Sequence, residues 1–255
     1  MNLSIFFPAY NEEDNIALMV KDALKIAPQV SEDFEIIVID DGSSDRTAQV
    51  VREIAKEFPQ VRLVSHDKNR GYGAALKTGM DSATKDYIFY CDSDNQFDLS
   101  ELPRLVDLID EADLVIGYRL NRQDPWMRIV MARVYNLLVS IIFGLRVKDV
   151  DCGFKLFRRR ILDQLPLTLR SKGYLLETAL LVRSQKAGLR IKEVGVRHRH
   201  RARGSTSFEI GGRSKIFTLV KPRVIWDTLV ELGQFWKELR LSPNPPTTSS
   251  PSGGR

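Results

Sequence analysis

The chain has 255 residues, 43% of them hydrophobic and 28% charged, with 38 Lys and Arg against 33 Asp and Glu for a formal net charge of +5. This excludes a disordered or fibrous chain and supplies enough apolar material for one sizeable α/β domain. Cys91 and Cys152 are the only cysteines; without a CxxC spacing they exclude a disulfide framework or zinc knuckle and point to a reducing compartment.

The N-terminal MNLSIFFPAYNEED has no basic leader region and reaches its acids too soon for a signal peptide, so export is not expected. LSIFF reads as a strand. A helix follows, with Ile16, Met19, Val20, Ala23 and Leu24 at spacings of three and four. Asn11 is the expected cap of that helix, and the acids after it suit the positive end of the helix dipole. FEIIVID is the second strand. It runs into IDDGSSD, where Gly42 permits a turn and Ser43 or Ser44 is expected to cap a helix carrying Val50, Ile54 and Phe58. VRLVSH leads into NRGYGAALKTG, whose glycines fit neither the Rossmann nor the Walker spacing and read as a strand-to-helix turn. DYIFYCD ends in CDSDNQ, and DLVIGYR is the next strand. Strands alternating with helices imply βαβ units and a largely parallel sheet. Ligands bind beyond the carboxyl ends of such strands, so PAYNE, IDDGSSD, CDSDNQ and GYR should converge on one rim.

Two of these segments carry more acid than a turn needs. On an extended backbone Asp92 and Asp94 project to one side, with Gln96 two residues on. Two carboxylates and an amide oxygen form an open, all-oxygen half-shell suited to Mg2+ or Mn2+ with room for phosphate, although a capped turn also explains the pattern. Asp40 and Asp41 end a strand, where a carboxylate can accept from a base N–H or a ribose hydroxyl.

The basic excess lies in the second half, at FRRR (157–160) and VRHRHRARG (196–204). It implies anionic partners: nucleic acid, nucleotide phosphates or an acidic membrane surface. No RRM, KH or helix-turn-helix pattern accompanies it, so nucleic acid is not expected. His198 and His200 share a strand face without a third ligand and are not expected to hold a metal. The longest uncharged apolar run, Val134–Leu145, falls far short of the roughly 20 residues of a spanning helix. WMRIVMARVYNLLVSIIFGL is therefore expected either to lie in a membrane interface or to pack in the core. A second such segment holds Trp226, Phe235 and Trp236. SPNPPTTSSPSGGR reads as a disordered tail.

Taken in order, FPAYNEEDNI, IVIDDGSSDRT, NRGYGAALKTG, CDSDNQ and DCGFKLFRR resemble a family 2 glycosyltransferase of GT-A fold, close to the dolichyl-phosphate mannose synthases and the polyprenyl-phosphate glycosyltransferases. The resemblance implies a GT-A catalytic domain over residues 1–212, an amphipathic, membrane-interfacial helical segment over 213–240 and a disordered tail over 241–255. It implies that Pro8, Tyr10, Glu12, Ile39 and Asp41 hold the nucleoside of a nucleotide-sugar donor. Asp92, Ser93 and Asp94 would hold its diphosphate and a Mg2+ or Mn2+ ion, with Gln96 as a further metal ligand. Arg119 matches a donor-contacting arginine, Arg201 the arginine of a late phosphate-covering loop, and Arg133 an arginine on the acceptor side. The catalytic set so implied is Asp92, Asp94, Arg119 and Arg201. Two positions depart from the family pattern. Ser207 stands where a late-loop lysine is usual, with Arg213 and Lys215 nearby, and Glu177 lacks its usual acidic companion at Ala179.

The function implied is inverting, metal-dependent transfer of a hexose from a GDP-mannose or UDP-glucose type donor to a polyprenyl phosphate, by a protein peripheral on the cytoplasmic membrane face. A family 2 enzyme with a soluble or polysaccharide acceptor and an inactive binding protein on the same fold are the alternatives.

Overall fold

The computed structural model describes residues 1–122, 124, 126–165, 167, 175–200, 209–210, 219–220 and 222–241. In chain order the elements are β1 (Asn2–Ala9), α1 (Ile16–Val30), β2 (Asp33–Asp40), α2 (Thr47–Glu57), β3 (Val61–Ser65), α3 (Tyr72–Ser82), β4 (Tyr87–Cys91), a 3-10 turn (Leu99–Glu101), α4 (Leu102–Ile109), β5 (Leu114–Leu120) and α5 (Trp126–Phe143). They continue with β6 (Phe154–Arg158), α6 (Arg160–Gln164), α7 (Leu176–Lys186), β7 (Ile191–Arg197), the short pair β8 (Glu209–Ile210) and β9 (Leu219–Val220), and α8 (Pro222–Leu241).

The main sheet has seven strands in the order β3-β2-β1-β4-β6-β5-β7. All run parallel except β6, which is antiparallel to both β4 and β5. Period-two alternation divides its side chains between two cores. Leu3, Ile5 and Phe7 of β1 and Ile36 and Val38 of β2 face the buried sides of α1, α2 and α4. Phe6, Ile37, Ile39, Ile88 and Tyr90 face α3, α5, α7 and α8. Because both faces are covered, the central strands are continuously apolar.

Local capping differs from expectation at both early helices. Asn11 lies at φ 56° outside α1, and its Oδ1 accepts from the Ser44 N–H at 2.8 Å. Ser43 Oγ accepts from the Asn11 N–H at 2.9 Å. Neither serine caps α2: its N-cap position is Arg46, which makes no side-chain cap bond, and Asp45 just before it accepts from the Thr47 N–H at 2.9 Å. The serines and Asn11 satisfy backbone groups between two loops, and this tertiary use displaces the local one.

The FRRR run proves to be remote from the rim. Since β6 is antiparallel, Arg158 ends at the opposite sheet edge, where it donates to the Ile109 carbonyl and the Tyr87 hydroxyl. Arg160 pairs there with Asp113 at 2.8 Å. These arginines tie strand ends together and are not the anion site expected of them.

The apolar segment after β5 is also corrected. Its helix starts at Trp126, and these 18 residues have a mean hydropathy of 1.5. At 1.5 Å per residue it is about 27 Å long, close to the ~30 Å of a bilayer core. By length and composition α5 thus meets the requirement that the uncharged run alone failed. Nor is it a core helix, since only 11% of it is buried.

Candidate active site

Three loops meet at the carboxyl ends of β1, β2 and β4. The β1 loop brings half-buried Tyr10 and buried Glu12, whose Oε2 accepts from Asn15 Nδ2 at 2.7 Å. Pro8 is buried, and its carbonyl accepts from Ser93 Oγ at 2.7 Å, so Ser93 locks the β4 loop onto β1. Ile39 lies wholly within the core, which leaves only its backbone to face a ligand. Asp41, 2% exposed, accepts from the N–H groups of Arg70 and Gly71 at 2.8 Å each and meets His66 Nδ1 at 2.6 Å. Gly42 packs so closely on the same turn that an added Cβ would lie 2.4 Å from the Lys68 carbonyl carbon. The residues expected to hold the nucleoside are therefore brought together at one rim, with Asp41 and Glu12 already hydrogen-bonded.

The two DxD aspartates occupy different surroundings. Asp92 Oδ1 accepts from the Tyr72 phenol at 2.7 Å. Its other side rests on the α-carbon of Gly153, where a Cβ would approach Oδ2 to 2.3 Å. Burial, the Asp94 charge and the Glu177 charge together push the Asp92 carboxyl up to about 7. Asp94 accepts from the Gln96 N–H at 3.1 Å, and Gln96 Nε2 donates to the Arg199 carbonyl at 3.0 Å, turning the amide oxygen away from that contact. Among the described residues no three His, Cys, Asp or Glu side chains form a metal group. Two crowded carboxylates, an amide oxygen and a glycine cradle that leaves room for the first carboxylate nonetheless fit a divalent ion that takes its remaining ligands from phosphate or water.

Beneath the aspartates lies a buried polar network. Lys155 Nζ donates to Glu177 Oε1 and to the Cys152 carbonyl at 2.6 Å each, and Tyr90 donates to the same Glu177 oxygen at 2.6 Å. Glu177 is thus held from two sides. Next to it, the Tyr135 and Thr178 hydroxyls lie 2.6 Å apart, joining α5 to α7.

The arginines do not act as one group. Arg119 is tied to Asp149 through Nε and Nη2, both at 2.7 Å, which orients it while occupying one edge of its guanidinium. Arg133 is exposed on α5, and no carboxylate among the described residues pairs with it. Arg128 on the same helix reaches Asp124 at 3.4 Å. Arg201, Ser207, Arg213 and Lys215 lie outside the described residues.

Comparison with known proteins decides what this site belongs to. The family model for glycosyl transferase family 2 matches residues 4–166. The chain belongs to that family. It is 29% identical over 221 residues to the undecaprenyl-phosphate 4-deoxy-4-formamido-L-arabinose transferase of Edwardsiella ictaluri, covering 86% of this chain and 65% of that protein. To the dolichyl-phosphate beta-glucosyltransferase of Saccharomyces cerevisiae it is 28% identical over 219 residues, covering 76% and 66%. The chain spans 50% of a relative from Proteus mirabilis that has the same name as the first, with 32% identity over 163 residues. Among solved structures it resembles glucosyl-3-phosphoglycerate synthase from Mycobacterium tuberculosis in complex with Mn2+, UDP and phosphoglyceric acid. That match has a TM-score of 0.61 and 25% identity, covering 80% of this chain and 72% of that one. The mixed sheet is the GT-A fold of the glycosyl transferases.

Several residues that shape this glycosyltransferase site were not singled out from sequence: His66, Tyr72, Asp149, Asp151, Gly153 and Lys155. The sequence did hold a signal for two of them. Lys155 is a charge inside the apolar run GFKLF, and Asp151 precedes it in DVDCGF. Burial first, and then the Glu177 charge, push the Asp151 carboxyl up to about 7 from 3.8. Its folded pKa lies above its unfolded value, so the native state holds an extra proton in between, and stability is lost as pH rises toward 7. The stability advantage of Asp151→Asn over wild type should therefore grow between about pH 5 and pH 7 and level off above, as read by thermal unfolding in EDTA. A constant offset across that range would show that the carboxyl is ionised throughout.

Proposed function

We propose that this chain transfers a hexose, with inversion, from a nucleotide sugar of the GDP-mannose or UDP-glucose type to a polyprenyl or dolichyl phosphate at the cytoplasmic membrane face. The observation that carries this reading is Arg133. It is an exposed cation on an apolar helix, and that helix is bonded to the site through Tyr135 and Thr178. In water this exposed guanidinium is hydrated at no cost, and against a bilayer an arginine flanked by exposed apolar side chains is placed to meet a headgroup-level anion. A lipid phosphate supplies the anion and its membrane the interface.

In this reading Asp41, Tyr10 and Glu12 receive the nucleoside, and Asp92, Asp94 and Gln96 hold Mg2+ or Mn2+. The bound ion would neutralise charge on the departing nucleoside diphosphate. An oxygen of the acceptor phosphate attacks the anomeric carbon, and the bond to the diphosphate breaks with its electron pair leaving on the diphosphate oxygen. A phosphate monoester is anionic near neutral pH, so no proton must be removed from it. Glu177, bound to Lys155 and Tyr90, need not act as a base.

The helices supply the membrane contact. Ile141 (72%) and Leu137 (59%) are exposed on α5, and Trp226 (68%) and Leu229 (47%) on α8. The two helices meet through Phe143 and Phe235, whose rings lie 5.1 Å apart. Asn136 of α5 bonds the Lys148 carbonyl and the Val150 N–H. Anchored laterally in this way, α5 suits an interface better than a span. A soluble acceptor is the second reading, and the phosphoglyceric acid in the related solved structure favours it.

Asp94→Asn should abolish transfer while leaving the melting temperature nearly unchanged, because it removes charge and little shape. Assays with Mn2+, a panel of nucleotide sugars and polyprenyl phosphate test this, and near-full activity at saturating Mn2+ would reject the metal site. Arg133→Ala should cut transfer to lipid phosphate by orders of magnitude with nucleotide-sugar affinity close to normal. The wild type should co-sediment with anionic liposomes, less so at high salt. Normal transfer by Arg133→Ala, together with no liposome binding at low salt, would favour the soluble acceptor.

A further inference from the structure

Asp41 and Asp92 stand at the ends of β2 and β4, with β1 between them. One short piece of chain nevertheless touches both. Asp41 accepts from the N–H groups of Arg70 and Gly71 at 2.8 Å each. The next residue, Tyr72, opens α3 and donates its phenol proton to Asp92 Oδ1 at 2.7 Å. Gly71 makes the turn at φ 95°, a conformation that residues with a Cβ rarely adopt. The direction of this turn sends the ring toward β4.

Asp92 has little freedom left. The phenol fixes one oxygen, and the α-carbon of Gly153 lies under the carboxylate. The phenol is a dependable donor, since burial and the Asp92 charge raise its pKa well above 10. The ring itself packs against the core on the α3 and α7 side, so losing the hydroxyl alone leaves that packing in place.

We propose that Tyr72 is a positioning residue that orients Asp92 for the divalent ion and, through the Arg70 and Gly71 amides, ties that orientation to the Asp41 nucleoside pocket. This inference rests on the reading of Asp92 as a metal ligand. Partners that orient a ligating side chain typically contribute about 10- to 100-fold in metal affinity. Any change at Asp41 that shifts the turn is transmitted to Asp92 through one tyrosine.

Mn2+ alone is the probe, titrated into the full chain and followed by electron paramagnetic resonance of the free ion. Wild type should bind saturably and Asp94→Asn should not. Tyr72→Phe should bind about tenfold or more weakly with its melting temperature close to wild type. Asp41→Asn should weaken Mn2+ several-fold, although Asp41 is no ligand, and should cause no further loss in the Tyr72→Phe background, since both act through one contact. If Asp41→Asn does not fold, Gly71→Ala disturbs the same turn without altering either carboxylate, and the same non-additivity is expected.

Wild-type affinity in Tyr72→Phe, with binding still lost in Asp94→Asn, would overturn the positioning role and leave the metal site standing. Fully additive losses would overturn the tie to Asp41. Absent Mn2+ binding in wild type, or unchanged binding in Asp94→Asn, would overturn the metal site itself.

Discussion

A buried ammonium makes the acidic rim of this sheet possible. Lys155 is 0% exposed and sits on β6, so its charge must be met inside the protein. Glu177 and the Cys152 carbonyl meet it at 2.6 Å each. Its field in turn offsets part of the repulsion among the carboxylates above it, acting on both Asp92 and Asp151. Removing one partner of a buried pair typically costs about 3–5 kcal/mol, because the other charge is stranded. That figure is a large fraction of the 5–15 kcal/mol by which domains are typically stable. The pair is therefore poorly explained as a simple stabiliser, since apolar residues of similar volume commonly do as well. It is better explained as the electrostatic floor of a site that must crowd carboxylates together.

The same network joins the acidic rim to the apolar helices. Glu177 stands in the first turn of α7, and its neighbour Thr178 meets Tyr135 of α5. Asn136, one residue further along α5, holds the loop that carries Asp149, and Asp149 grips Arg119. An apolar helix with these polar links to its own domain can shift relative to the site only by breaking partly buried hydrogen bonds. Each such bond contributes about 0.5–1.5 kcal/mol net. The exposed apolar face of α5 is thus linked to the acidic rim through Tyr135, Thr178 and Asn136.

Much of the fold was legible because it depends on local pattern. All the strands expected in the first half formed, within a few residues, and the acidic segments converged at their carboxyl ends. Capping was misread because Asn11, Ser43 and Ser44 bond between loops, and no window of sequence contains that pairing. The spanning test also failed locally. It counted uncharged residues only, whereas the helix continues through Arg128 and Arg133 to Trp126. The DxD pair itself was visible, but its partners Tyr72 and Gly153 arrive from the start of α3 and from the turn before β6 and leave no spacing signal.

The reversed strand explains why that last group was hidden. In an all-parallel sheet the segment before β6 would emerge at the far edge, away from the DxD loop. Because β6 is antiparallel to β4, Phe154 stands opposite Cys91, and the Gly153 carbonyl accepts from the Asp92 N–H at 3.1 Å. One change of strand direction therefore carries Asp149, Asp151, Gly153 and Lys155 toward the DxD end of the sheet and, by the same geometry, takes Arg158 to the opposite end. The glycine of DCGFK is fixed by that meeting, since any Cβ there would occupy the space of the Asp92 carboxylate. The acidic and basic halves of the chain meet along this β4–β6 pairing, and which end of β6 a residue occupies decides whether it reaches the acidic rim.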